Sequence, residues 1–299
     1  MLISVITPTY NRAHTLENAY RSLLTQEVDL EWIVVDDGST DGTLGLITGL
    51  ARRAPFPVRY VRQDHAGVHA ARNRGAATAR GELAALLDSD DRFTRGGLDR
   101  IARHWSLVPD RAGYAGVTGL CVDETGRVVG DRFPADVIDA TWQEMTYRHR
   151  VRGEKFMLVR TEVLRRHPFR TDPPGFVGEG TLWRELGLRY RTRHVNEAVR
   201  VYGLAEPDRI CRQPFGVHAG ASAIGHAGVL NDDIAWLRDD PVTFARSAAH
   251  LARALFHLRV PPWRQPRRLK TWRARALWAA ALPLGWLLYR RDTLPRPRR

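Results

Sequence analysis

The sequence predicts an α/β fold, a mostly parallel sheet flanked by helices and followed by a helical C-terminal extension. Three observations carry that prediction. Short apolar runs alternate with segments of helical spacing through roughly the first hundred residues. Polar clusters at residues 7–11, 36–42 and 88–91 each follow an apolar run directly, where the carboxyl ends of parallel strands build ligand-binding crevices in Rossmann-like sheets. Charge is segregated: residues 246–299 hold 14 Lys and Arg against one acid, Asp292, while the rest of the chain carries 32 basic and 32 acidic residues.

Residues 3–7 read as an apolar strand, and residues 13–25 as a helix through the spacing of Leu16, Ala19, Tyr20, Leu23 and Leu24. Residues 32–35 form a second buried strand. A further cycle comes next, with helix over 43–53, strand over 58–61, helix over 66–79 and strand over 83–87. Residues 113–129 predict a strand pair around a turn at 123–126, and 156–160 a strand leading into a short helix that ends near His167. A helix over 178–190 and a strand over 195–202 complete the sheet-forming part. Beyond a boundary near residue 205, segments 232–237 and 243–258 have helical character, and Pro261, Pro262 and Pro266 then interrupt the helical pattern. This gives three expected regions: 1–110, 111–205 and a helical basic extension, 206–299.

A chain of 299 residues with 43% hydrophobic and 26% charged residues can bury a large core, which excludes a disordered or collagen-like protein. Its two cysteines, Cys121 and Cys211, form no CxxC pair, so neither a disulfide framework nor a cysteine zinc site is expected. The start, Met1-Leu2-Ile3-Ser4-Val5-Ile6, lacks the basic and apolar regions of a secretory signal, and a cytoplasmic protein is expected. The neutral first 245 residues offer no basic face for specific nucleic-acid recognition.

The polar clusters suggest chemistry. Asp36-Asp37-Gly38-Ser39-Thr40-Asp41-Gly42 follows a strand, where a carboxylate can accept a nucleobase N–H or a ribose hydroxyl, although Asp/Gly/Ser/Thr clusters are also ordinary turn chemistry. Asp88-Ser89-Asp90-Asp91 sets hard oxygen ligands after a buried strand, suited to Mg²⁺ or Mn²⁺ held against a diphosphate; an acidic helix cap is the plainer alternative.

Four segments in order, Val5-Ile6-Thr7-Pro8-Thr9-Tyr10-Asn11-Arg12, Trp32-Ile33-Val34-Val35-Asp36-Asp37-Gly38-Ser39-Thr40-Asp41, Ala71-Arg72-Asn73-Arg74-Gly75 and Leu87-Asp88-Ser89-Asp90-Asp91, closely resemble the family 2 glycosyltransferases of GT-A fold. The resemblance is strong over residues 1–100, patchy to about 205 and weak beyond. It implies an inverting, metal-dependent transfer of sugar from a nucleoside diphosphate sugar, a UDP-sugar foremost, to a hydroxyl of a saccharide, lipid-linked saccharide or natural product. By the same resemblance, Thr7, Pro8 and Tyr10 would bind the donor nucleotide, with Pro8 and Tyr10 lining the base pocket. Asp37 would bond the base edge, and Arg72 would approach from the next helix. Asp88 would contact ribose or metal, and Asp90 would be the metal ligand proper.

Such a transfer needs a general base for the acceptor hydroxyl. The family draws it from an acidic pair before a Leu-Trp step. Alignment on Leu182-Trp183 puts Glu179 at that place, with Gly178 replacing the first acid. A carboxylate serving a helix N-terminus is the alternative for Glu179, and Glu185 is the next candidate. His218 and His226, in a glycine-rich stretch, read as polar loop residues; His65 and His69 stand near the donor motif without a spacing that requires a role.

Residues 243–258 place Phe244, Ala248, Leu251, Leu255 and Leu258 on one helical face, with Arg246, His250, Arg253 and His257 along another. Residues 276–289 are uncharged and flanked by arginines; as a helix they would span about 21 Å, short of a roughly 30 Å hydrocarbon core, and Pro283 and Gly285 are expected to interrupt them. Residues 246–299 therefore fit peripheral attachment to an anionic membrane surface, or packing on the protein itself. Two rival classes remain at this point. A nucleotidyltransferase would want a glycine-rich phosphate loop after the first strand, which Thr7-Pro8-Thr9-Tyr10 is not. Against a degenerate, non-catalytic sugar-nucleotide-binding protein stand the intact Asp88, Asp90 and Asp37.

Overall fold

The structure, a computed structural model, describes residues 1–172, 177–203 and 214–294. Cys211, the boundary near residue 205 and the last five residues of the basic tail lie outside the described residues. The chain divides into two compact units, Met1–Phe169 with Arg184–Pro207, and Arg170–Trp183 with Asp208–Arg299.

In the first unit, β1 (Ile3–Thr9), α1 (Ala13–Leu23), β2 (Leu30–Asp36), α2 (Thr43–Arg53), β3 (Val58–Arg62), α3 (Val68–Thr78) and β4 (Leu83–Leu86) realise the expected alternation. β1 pairs in parallel with β2 on one side and β4 on the other, and β3 extends the parallel half beyond β2. All seven residues of β1 and of β2 are buried, which explains their unbroken apolar reading: helices cover both faces of a parallel sheet. Gly75 lets α3 lie directly on β1, since a Cβ there would stand 2.3 Å from Ile6 Cγ2.

The sheet continues through β5 (Arg92–Phe93), β6 (Tyr114–Val122), β7 (Val137–Ala140), β8 (Lys155–Arg160) and β9 (Arg191–Val201), in the order β3-β2-β1-β4-β8-β6-β9-β5 with β7 on β9. β8 runs antiparallel to both β4 and β6, so the parallel half ends at β4. Between β5 and β6 lies α4 (Gly97–Ser106), which buries Leu98, Ile101, Ala102 and Trp105. The strand pair expected over 113–129 is one strand, β6, a turn at 123–126 and a single bridge from Val122 to Val128. Asp123 closes that turn by accepting from Thr125 and Arg127 N–H groups, which spends the backbone a second strand would use. α5 (Thr161–Arg166) follows β8, and α6 (Gly180–Gly187) contributes residues to both units.

The second unit contains α7 (Ala219–Asp232), α8 (Pro241–His257) and α9 (Trp272–Thr293). Asp240 caps α8 by accepting from Thr243 N–H at 3.1 Å, with Pro241 at the first position, where a missing N–H costs nothing. The glycine-rich stretch expected to be a loop is α7: its alanines favour helix, and His226 stacks on His250 of α8 at 5.3 Å between ring centroids. α9 runs unbroken through Pro283 and Gly285, contrary to expectation. Pro283 is exposed, and Gly285 is buried against α8, where a Cβ would lie 2.5 Å from Ala252 Cβ and 2.7 Å from the Ala249 carbonyl oxygen. Packing on α8 thus outweighs the local propensity of both residues. Among the described residues no helix is long and apolar enough to cross a membrane.

Candidate active site

The three polar clusters share one edge of the parallel half-sheet. The last residue of β1, Thr9, stands opposite Asp36 of β2, and Asp37 N–H donates to the Thr9 carbonyl at 2.9 Å. On the other flank Ile6 pairs with Leu86, and Leu87 N–H donates to the Ile6 carbonyl, delivering Asp88 just past the same edge. The clusters after β2 and β4 are therefore two strand spacings apart, about 10 Å.

At the β2 end, Asp36 is fully buried; it accepts from Ser39 N–H at 2.7 Å and from the Tyr60 hydroxyl, which fixes the turn. Gly38 makes that turn at φ +90°, a region a side chain would strain. Asp37 is also buried. Its Oδ1 accepts from Gln63 Nε2 at 2.7 Å and Ala66 N–H at 2.9 Å, its Oδ2 from Gly67 N–H at 2.8 Å, and His65 Nδ1 lies 2.9 Å from Oδ2. Three donors hydrogen-bond to this one carboxylate, and the His65 ring stands beside it, its Nδ1 also 3.2 Å from the Asp37 carbonyl oxygen. The His65 ring, with 60% of its side chain exposed, also lies against Tyr10 at 4.3 Å between centroids. The structure thus joins Tyr10, His65 and Asp37 into one wall, a role for His65 that no spacing in the sequence required.

Thr7 does not reach this edge. β1 extends two residues beyond the expected 3–7 strand, so Thr7 lies inside the sheet, fully buried, and its hydroxyl accepts from Trp32 Nε1 at 2.9 Å. Pro8 is buried near the strand end, and Tyr10 is exposed.

At the β4 end, Arg72 of α3 donates from Nη2 to Asp88 Oδ1 at 2.7 Å. Arg72 is 3% exposed, Asp88 about one third, and the guanidinium lies over the Phe169 ring at 5.5 Å. Burial alone would raise the Asp88 carboxyl, but the positive charges of Arg72 and Arg200 and the Arg72 hydrogen bond outweigh it and hold Asp88 below the ordinary carboxylate range. Asp91 is turned inward, accepting from Gly203 N–H at 2.9 Å and paired with Arg200 of β9 at 3.1 Å. Burial pushes it up to about 7 despite Arg200, with Asp88 and Asp90 adding to the rise. Asp90 is partly exposed. No group of three or more His, Cys, Asp or Glu side chains among the described residues could hold a metal by itself. Asp88 and Asp90, hard-oxygen carboxylates two positions apart, are of the type that suits an ion completing its shell with phosphate oxygens and water, as Mg²⁺ and Mn²⁺ usually do.

Glu179 belongs to the second unit and is partly exposed; its carbonyl accepts from Leu182 N–H at 2.9 Å and Trp183 N–H at 3.2 Å at the start of α6. Glu185 lies within α6 beside His167 at 3.6 Å and Arg189 at 3.5 Å. His69 is buried and stacks on Phe169 at 4.9 Å.

The profile of the family described as Glycosyl transferase family 2 matches residues 4–167. Among curated relatives, GalNAc(5)-diNAcBac-PP-undecaprenol beta-1,3-glucosyltransferase of Campylobacter jejuni is 28% identical over 214 residues, 70% of this chain and 66% of that protein. An uncharacterized glycosyltransferase of Nostoc is 37% identical over 140 residues, 46% of this chain and 38% of the relative. The chain thus spans less than two thirds of the length of either. S. aureus TarS 1–349 in complex with UDP-GlcNAc superposes with a TM-score of 0.66 at 18% identity, covering 99% of this chain and 93% of that one. Mannosyltransferase PcManGT from Pyrobaculum calidifontis, in complex with GDP-Man and Mn²⁺, gives 0.55 at 20% identity, covering 98% and 88%. At such identities these structures establish the fold, which is GT-A.

Proposed function

Because the chain belongs to glycosyl transferase family 2, we propose that it moves a sugar from a nucleoside diphosphate donor, a UDP-sugar foremost, to a hydroxyl acceptor with inversion at the anomeric carbon. The observation that carries the reading is the shared sheet edge, where a base-binding wall of Tyr10 and Asp37 and an ionised Asp88 stand about two strand spacings apart. That separation suits a nucleotide laid across the edge, base toward β2 and diphosphate toward β4.

Each residue then has a task. Pro8 and Tyr10 bound the base, whose N–H takes one lone pair of Asp37 in place of the exposed His65 ring that stands beside it. Arg72 keeps Asp88 charged and oriented. Asp88 and Asp90 would hold a Mg²⁺ or Mn²⁺ ion, which when bound supplies positive charge against the departing diphosphate. Glu179 takes the proton from the acceptor hydroxyl as its oxygen bonds to the anomeric carbon. The bond from that carbon to the diphosphate breaks on the opposite side, and the nucleoside diphosphate leaves with the electron pair.

The acceptor is proposed to be a saccharide, a lipid-linked saccharide or a natural product. One relative guides the acceptor, being named for transfer to a polyprenol-linked saccharide, and a structural neighbour captured with UDP-GlcNAc guides the donor. Residues 206–299 are proposed to attach the enzyme peripherally to the cytoplasmic face of a membrane, which would bring it to a lipid-linked acceptor.

Two variants test the assignment. Asp90→Ala is expected to abolish metal-dependent nucleotide-sugar binding in calorimetry. Glu179→Gln is expected to bind donor like the parent and lose transfer by about 10²-fold or more. Parental transfer by Glu179→Gln sinks the base assignment, and unchanged metal-dependent binding by Asp90→Ala sinks the ligand assignment.

A further inference from the structure

α9 is apolar on two opposite faces. Ala274, Trp278 and Gly285 are buried on the inner face, and the close approach at Gly285 sets the α9 backbone against α8. Arg253 of α8 donates through Nε and Nη2 to Asp292 at 2.6 Å each, and His257 Nε2 lies 3.0 Å from the same carboxylate. The helix thus has a fixed rotation about its axis.

At 100° per residue, Trp272, Ala276, Ala279, Pro283, Leu287 and Leu294 fall within an arc of about 80°, turned roughly half a revolution from the inner face. All six are exposed, Trp272 to 75%, Leu287 to 56% and Leu294 to 55%. Arg273 and Arg275 lie to either side of this stripe in the first turn; in the last turn Arg290 falls within its arc and Arg291 beside it, all four exposed. The sole acid of residues 246–299, Asp292, is engaged by Arg253 and His257 on the inner side, so every formal charge along the outer face is positive.

We propose that the outer face of α9 is a docking surface for an anionic lipid leaflet, with the helix lying in the plane of the membrane. Trp272, Leu287 and Leu294 enter the boundary between headgroups and acyl chains, and the two arginine pairs lie among lipid phosphates. The inference rests on the peripheral-membrane reading of residues 206–299 and names the face and the lipid charge it requires. Charge complementarity selects this occupant. A second copy laid antiparallel on the same face would bring the first-turn arginines of one helix against the last-turn arginines of the other, with no carboxylate between them. A nucleic-acid backbone would satisfy the arginines and leave the exposed Trp and Leu side chains without a partner, whereas an interfacial helix uses both.

The test uses the full chain and sedimentation with vesicles of phosphatidylcholine alone or mixed equally with phosphatidylglycerol. The parent is expected to sediment with the mixed vesicles only. Trp272→Ser combined with Leu287→Ser should reduce that partition about tenfold or more. Leu107→Ser, which removes an equally exposed apolar residue from the first unit, should leave it unchanged. Circular dichroism and melting of each variant separate loss of contact from loss of fold, since all three substituted side chains are exposed. Parental binding that the double substitution does not weaken overturns the face and leaves the membrane reading standing. Failure of the parent to sediment with either vesicle overturns both. Binding to duplex DNA without vesicle sedimentation, or self-association abolished by the double substitution without vesicle binding, also overturns the lipid assignment.

Discussion

Asp37 illustrates how far a motif letter falls short of a contact. Its carboxylate accepts from Gln63, Ala66 and Gly67 and has the His65 imidazole 2.9 Å from Oδ2, so a nucleobase reaching it meets that ring. His65→Ala is therefore expected to tighten UDP binding a few-fold by removing a competitor, and Tyr10→Ala to weaken it about tenfold by removing a stacking surface. Titration of both variants with UDP and with inorganic pyrophosphate checks this. Looser UDP binding by His65→Ala would make the imidazole a base contact, and equal losses for pyrophosphate would remove Tyr10 from the base pocket. The sequence shows which residue types stand at the strand ends. It does not show that Asp91 turns inward to Arg200 while Asp88 turns to Arg72, because those partners lie 109 and 16 positions away. The end of β1 differs from expectation for a simpler reason: the strand runs on to Thr9, which leaves the Thr7 side chain inside the sheet.

At the scale of elements, the parallel half is legible because both faces of β1, β2 and β4 are buried and their residues are largely apolar. α4 carries an equally clear signal in the helical spacing of Leu98, Ile101, Ala102 and Trp105, although no helix was expected there. β7 is not legible, since only one of its four residues is buried and its pairing to β9 is decided at long range. α9 defeats local propensity through packing that no window of sequence contains. Gly285→Val should therefore cost about 1–3 kcal/mol by overpacking, seen as a lower melting temperature, whereas Leu284→Val, on the exposed side, should change little.

β9 carries a second testable consequence in His194, which is 5% exposed and whose ring centroid stands 5.0 Å from that of Phe133. Burial lowers it to about 4, outweighing the opposing pull of Asp139 and Glu144 and assisted by His149. The unfolded chain binds this proton near pH 6.5 and the folded chain only near 4. The neutral imidazole's contribution is thus fully present above about pH 6.5 and is lost as pH falls toward 4, to a total of about 3 kcal/mol. Denaturant unfolding between pH 7 and 4.5 should show the parent losing more stability than His194→Gln. Parallel curves would mean that the ring titrates normally in the folded state.

For the whole molecule, charge segregation separates two kinds of electrostatics. The first 245 residues are balanced, so donor binding there depends on a few carboxylates, Arg72 and a divalent ion at short range. The net charge of +13 belongs to residues 246–299, where it acts through solvent on whatever anionic surface is near. Raising salt from about 0.1 M to 1 M shortens the screening length from about 10 Å to 3 Å. Binding to anionic vesicles should therefore collapse across that range while metal-dependent donor binding is nearly retained. Thermal stabilisation reads the second quantity directly: a nucleotide sugar at about 100 times its Kd adds about 2.7 kcal/mol to the folded state. Screening UDP- and GDP-sugars with Mn²⁺, then with chelator, at both salt concentrations should find a donor whose stabilisation disappears with chelator and persists in salt. Stabilisation lost in salt and indifferent to chelator would place the nucleotide on the basic tail instead of the sheet edge, and the donor assignment would fall with it.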